Sequence, residues 1–263
     1  MGGKTDWAPI EALAQRVLEQ GEPLELTADV RTLLRRSARE VAIPAQDVQQ
    51  ALRSLRTAKP LLRKIRKRIE DGSWRLMLAE HRARRLQDAG DLEGARRQIE
   101  RVLTVEVVPF YRQQAENVLA RIARLQKVAR SGRVDPKLSE RSQLASLLYR
   151  INQGKPLKLT KEMRSFLRLA AAEAAISEAE TEEALASPTS AAALVRKTLG
   201  RLRNGSKRLE HAISRMLDLR EVGDLEGARQ QMRDLLAVET VPMYRRAAEE
   251  NLAGLDGPLP APV

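Results

Sequence analysis

Residues 90–112 read GDLEGARRQIERVLTVEVVPFYR, and residues 223–245 read GDLEGARQQMRDLLAVETVPMYR. Gly90 thus recurs as Gly223, an offset of 133 residues, and other blocks recur at the same offset. QGEPLELT at Gln20 returns as QGKPLKLT at Gln153, REVAI at Arg39 as AEAAI at Ala172, and DGSWRL at Asp71 as NGSKRL at Asn204. About two aligned positions in five are identical, far above what shared composition gives, and the unit is much longer than a solenoid repeat. A single offset leaves no room for net insertion or deletion, so the chain is a tandem duplication of one domain. The first copy occupies residues 1–128 and the second 138–256. A link at 129–137, with Gly132 and Pro136 as breakers, joins them, and a proline-rich tail follows at 257–263.

With 43% hydrophobic residues among 263, each copy can bury a core. Aromatics are only 3%, so that core rests on Leu, Ala, Val and Ile. Cysteine is absent, which removes disulfides, thiolate metal ligands and thiol nucleophiles. No apolar run approaches the ~18 residues that a membrane span requires. The opening MGGKTDWAPIEAL has no apolar signal-peptide region. A cytoplasmic protein without a membrane span is therefore the expectation.

Hydrophobic spacing is helical nearly throughout, and no stretch alternates with a period of two. Ile10, Leu13, Ala14, Val17 and Leu18 share one face of a helix that Gly21 stops. Thr27 is placed to cap the next helix, and Pro44 to open a third that reaches about Ser54. The second copy starts that third helix at Ser177, with Glu180 three residues on, the pattern of a capping box. A fourth helix is expected over 58–70 and a fifth over 74–89, with Gly72 and its counterpart Gly205 as a break or kink between them. All-α architecture follows, with five or six helices per copy.

The quoted segment specifies a helical hairpin. Gly90 and Gly223 suit the left-handed residue that ends a helix, and Asp91 and Asp224 suit the next N-cap. Ala95 and Ala228 lie on the inward stripe. Pro109 and Pro242 fit the first turn of the last helix. Gly94 and Gly227, placed where alanine would be better by up to ~1 kcal/mol, suggest that a neighbouring helix comes close. A functional reading of the capped turn as an anion site is disfavoured, because Asp91 and Asp224 stand where the anion would go.

GDLEGA followed by a proline and a small-residue helix is similar to the helical hairpin of tetratricopeptide repeats, over about thirty residues per copy. The Trp, Leu, Gly and Tyr signature positions of that family are mostly missing. Over nearly a whole copy, VLEQGEPLELTADVRTLLRRSAREVAI, then RIEDGSWRL, then AGDLEGARRQIERVLTVEVVPFYRQQAE resembles the DUSAM domain family, a set of myxobacterial paralogues. The second copy departs most at Ser139-Glu140, where the first has Asp6-Trp7. The resemblance implies a multiplied helical domain. It supplies no activity, cofactor or site residue.

Chemical motifs are sparse. GGKT at Gly2 has the ending of a phosphate-binding loop without its preceding glycine and strand. His81 and His211 are not at equivalent positions, and neither belongs to a ligand cluster. No catalytic constellation, cofactor site or metal site is expected. The informative feature is charge. The chain carries a net charge of +12, concentrated in the first copy. The run KPLLRKIRKR supplies Lys59, Arg63, Lys64, Arg66, Lys67 and Arg68 opposite Leu61, Leu62, Ile65 and Ile69. In the second copy these become Ala192, Arg196, Lys197, Leu199, Gly200 and Arg201. Two roles are open. The favoured one is a non-catalytic protein–protein interaction module or scaffold, with self-association as one form of it. The alternative is sequence-nonspecific nucleic-acid binding through the basic helix, by phosphate contacts.

Overall fold

The computed structural model describes residues 6–255. The GGKT stretch, Asp256 at the end of the second copy and the tail at 257–263 lie outside the described residues. Twelve helices and no strand occur among the described residues: α1 (Ala8–Ala14), α2 (Ala28–Glu40), α3 (Ala45–Ala51), α4 (Leu55–Ala89), α5 (Leu92–Val105), α6 (Pro109–Ser131), α7 (Glu140–Asn152), α8 (Lys161–Glu173), α9 (Glu178–Ala184), α10 (Pro188–Glu221), α11 (Leu225–Val238) and α12 (Pro242–Gly254). The all-α expectation holds. The described residues divide into two compact units, one ending at Ala123 and the other beginning at Arg124.

In the first unit α1 continues through a wider π-turn at Gln15–Glu19, then reverses at Gly21, whose φ is +75°. The Thr27 hydroxyl accepts the Val30 amide and caps α2 as expected. Pro44 stands just before α3 rather than within it. Ile10, Leu34, Leu62, Ile65, Ile99 and Ile122 are almost wholly buried in one continuous core. Removing side chains of this size from water stabilises by about 1.5–3 kcal/mol each.

The main departure from expectation is at Gly72 and Gly205. Neither breaks a helix. α4 runs 35 residues from its Ser54 cap, which accepts the Thr57 amide, and α10 runs 34. Hydrophobic period alone cannot separate a glycine that ends a helix from one that makes room on its face. Here it makes room: a Cβ built on Gly72 would lie 2.3 Å from Tyr111 Cδ2, and one on Gly205 would lie 2.3 Å from Tyr244 Cδ2. Gly94 and Gly227 also differ from expectation. Their nearest neighbour is their own cap, since a Cβ would meet the Asp91 or Asp224 carboxylate.

The second unit builds the same elements. Arg150, buried, donates from Nη1 to the Arg130 carbonyl at 2.6 Å and closes the end of α6, after which Gly132 turns with φ +69°. The residues 129–131 assigned to the link are therefore helical. Ser177 caps α9 through the Glu180 amide, but the reciprocal half of the expected capping box is absent: the Glu180 carboxylate pairs with Lys197 instead. The full box forms one element later, between Ser187 and Ser190.

Candidate interaction surface

Each copy ends in a hairpin, α4–α5–α6 in the first and α10–α11–α12 in the second, and each is locked by the same polar knot. Gly90 takes φ +88° and Gly223 φ +82°, ending the long helix. The Asp91 Oδ1 accepts the Gly94 amide at 2.7 Å, and Asp224 Oδ1 accepts that of Gly227 at 2.8 Å. Ala95 and Ala228 are fully buried, and Pro109 and Pro242 open α6 and α12.

Between α5 and α6 the Glu106 carboxylate is wholly buried. Its Oε1 accepts the Val107 and Val108 amides at 2.9 and 2.8 Å, and its Oε2 accepts Arg75 Nη2 at 2.8 Å. Arg112 Nη1 donates to the Leu103 and Glu106 carbonyls, both at 2.8 Å. Glu239, Arg208 and Arg245 repeat every one of these bonds. The aromatic ring of the knot differs only in its partner: Tyr244 donates to the Leu202 carbonyl at 2.8 Å, whereas Tyr111 pairs with Ser73. Burial pushes the Tyr111 phenol up. A buried carboxylate is tolerated because its oxygens are bonded and a guanidinium faces it. The sequence reading passed over Arg75, Glu106 and Arg112. The available signal was a set of charges repeated in both copies between apolar neighbours.

Around this knot the first unit is apolar outside as well as inside. Trp74 and Met77 flank Arg75 on α4 and are 62% and 48% exposed. Val105 and Val107 flank Glu106 and are 59% and 47% exposed. All four belong to the first unit's hairpin, two on α4 and two at the α5–α6 turn, on the elements that the Arg75–Glu106 bond ties together. At the equivalent places the second unit has Lys207, Glu210, Val238 and Thr240, so only the valine remains.

The basic run on α4 is dispersed by its surroundings. Arg66 pairs with Glu19 and with Glu70, and Lys67 reaches Asp71 at 3.2 Å. The bonds to both glutamates hold Arg66 above its ordinary pKa. Arg68 turns inward, where its Nη1 donates to the Val41 and Ala42 carbonyls at 2.7 and 2.8 Å. Ala42 has φ +58°, a left-handed conformation costly for alanine, and Arg201 holds the matching Ala175, φ +55°, in the same way. Lys59, Arg63 and Lys64 make no ion pair with any described residue.

Other titratable groups are separate. His81 and His211 lie exposed on their helices. Among the described residues no three His, Cys, Asp or Glu side chains converge as metal ligands, and no helix is long and apolar enough to cross a membrane. In the second unit Glu140, at the start of α7, shares a hydrogen bond with Glu173, at the end of α8. That bond, burial and the like charge push Glu173 up to about 7.

A family model described as "Protein of unknown function (DUF2379)" matches residues 5–122 and again residues 139–255. No curated protein matches the chain. No solved structure matches it.

Proposed function

The chain belongs to the DUF2379 family of proteins of unknown function, in two tandem copies, and on that premise we propose that it is a non-catalytic protein–protein interaction module whose docking face is the first copy's hairpin. The observation that carries this reading is the exposure of Trp74, Met77, Val105 and Val107 on the hairpin elements that the Arg75–Glu106 bond joins. Large aromatic and Met side chains held on a fixed frame are the residue types that anchor interfaces. The non-catalytic part is supported by how the titratable groups are used. Glu106 and Glu239 are consumed by structural bonds, and both histidines stand alone on exposed faces. The likeness of GDLEGA and its following proline to tetratricopeptide hairpins is a further support, by analogy alone. The order of the sequence blocks supports the finer assignment to the DUSAM domain family. A cytoplasmic location fits the absence of cysteine.

The test is capture of a partner from lysate on the immobilised full chain, with and without nuclease, beside the double variant Trp74→Lys, Met77→Glu, which copies the second unit. A protein that survives nuclease and moderate salt on the parent, and is lost from the variant, is the expected result. Capture abolished by nuclease, with steep salt dependence, would instead identify nucleic acid bound through Lys59, Arg63 and Lys64.

A further inference from the structure

The duplication supplies an internal comparison at a second surface, between α2 and α3 in the first unit and between α8 and α9 in the second. In the first unit a groove of about 490 Å³ is bordered by Arg35, Arg36 and Arg39, with Ile43 and Val48 beneath. Ile43 and Val48 are each 5% exposed, so they form a fixed floor. In the second unit the corresponding groove is about 250 Å³ and is bordered by the equivalent residues Arg168, Ala172, Ile176, Thr181 and Glu182.

The two grooves differ in charge: the second is lined by the carboxylates of Glu178 and Glu182, where the first has Ala45 and Gln49. Glu182 lies across the second groove, and its two oxygens accept Arg168 Nε at 2.6 Å and Nη2 at 3.0 Å. Arg168 thus already holds a carboxylate in the side-on, two-bond geometry that guanidinium groups favour. In the first groove the arginine is retained as Arg35 while the carboxylate is gone, because Gln49 stands where Glu182 does. A further cation is present, since Arg39 stands where the second unit has Ala172. Arg35 and Arg39 make no ion pair with any described residue. Arg36 reaches Glu40 only at 3.9 Å. The frame is rigid, with Thr27 capping the start of α2 and Arg68 holding its end at Val41 and Ala42.

We propose that the α2–α3 groove of the first copy docks an acidic peptide segment of another protein, a carboxylate of which takes the place on Arg35 that Glu182 takes on Arg168, with a second acidic group on Arg39 and an apolar side chain on Ile43 and Val48. A peptide is favoured over nucleic acid on two counts. The internal occupant is a carboxylate, and the apolar floor gives a sugar–phosphate backbone nothing to bury. The inference rests on the interaction reading above but uses a different surface, so the two fail separately.

The experiment is fluorescence anisotropy on the full chain at near-physiological salt, with a labelled synthetic peptide of alternating glutamate and leucine as the probe. Arg39→Ala with Gln49→Glu places in the first groove the residues that the second has at these two positions, and should weaken binding about tenfold. Arg63→Ala with Lys64→Ala removes the same charge from α4 and should change it by less than about twofold. Gln49→Glu alone deletes no side chain contact and gives Arg35 an internal partner; it should weaken binding even if the double variant folds poorly. Glu182→Gln with Glu178→Ala removes both carboxylates beside Arg168 and should add a second, weaker site. The Trp74→Lys, Met77→Glu chain should bind the peptide as the parent does. Unchanged binding by both Gln49→Glu variants overturns the proposal. So does equal loss in the α4 variant, which would mean a diffuse field, or displacement of the peptide by a single-stranded oligonucleotide of equal charge at lower concentration, which would mean a nucleic-acid site.

Discussion

The ring of Tyr111 lies directly on the backbone of α4 at Gly72, close enough that a single added methyl would stand 2.3 Å from its Cδ2 and 3.1 Å from Glu106 Oε2. Tyr244 and Gly205 repeat the relationship at the same distances. Gly72→Ala or Gly205→Ala should therefore destabilise by about 1–3 kcal/mol through overpacking, despite alanine's better helix propensity. Gly200, in the same helix as Gly205, has nothing within 4 Å of where its Cβ would be. Gly200→Ala should stabilise by up to about 1 kcal/mol. Opposite signs for Gly200→Ala and Gly205→Ala in thermal melts check the account.

Glu106→Ala should be among the most damaging substitutions in the first unit, at about 3–5 kcal/mol, because it leaves Arg75 without its partner and two buried-side amides, those of Val107 and Val108, without an acceptor. Arg75 is 37% exposed in its side chain, so water can replace part of what Arg75→Ala removes. Denaturant unfolding should rank Glu106→Ala as the more costly of the two. Faster amide exchange at Val107 and Val108 in Glu106→Ala would locate the damage.

Arg68 and Lys64 sit four residues apart on α4 and should behave oppositely. Arg68 holds the left-handed corner at Ala42 through two carbonyls, and Arg68→Ala should lower stability by about 1–3 kcal/mol. Lys64 is exposed, and Lys64→Ala should stay within about 0.5 kcal/mol. If nucleic acid binds this helix, Lys64→Ala must weaken it without changing the melting temperature.

The Glu140–Glu173 pair makes the second unit pH-sensitive. Glu173 titrates at about 7 when folded and near the ordinary carboxylate value of 4.5 when unfolded. Between those values the folded chain binds more protons than the unfolded one, so stability falls as pH rises through the window and levels above it. Melting temperatures of the parent and of Glu140→Gln should diverge as pH rises from 5 to 8, with the variant the less sensitive. Parallel curves would exclude the shared bond as the cause.

The helical class and the hairpin turns were legible because each is decided within a few residues, and the duplication because whole blocks recur at one offset. Thr27 bonds an amide three positions on, Asp91 does the same, and Gly90 needs only its own lack of a side chain to take a positive φ. Tertiary structure decided what depends on a neighbour brought from afar. Gly72 reads as a breaker until Tyr111 is laid against it. Glu106 has no role legible in its own stretch until Arg75, 31 residues away, turns toward it. Arg68 reads as one more cation in a basic run until it reaches the carbonyls of Val41 and Ala42, 27 and 26 residues distant. Local spacing carries backbone preference and the direction of a helix face, whereas the role of a charge or a glycine is set by the field and the volume that the packed neighbour leaves it, and those exist only once the helices have come together.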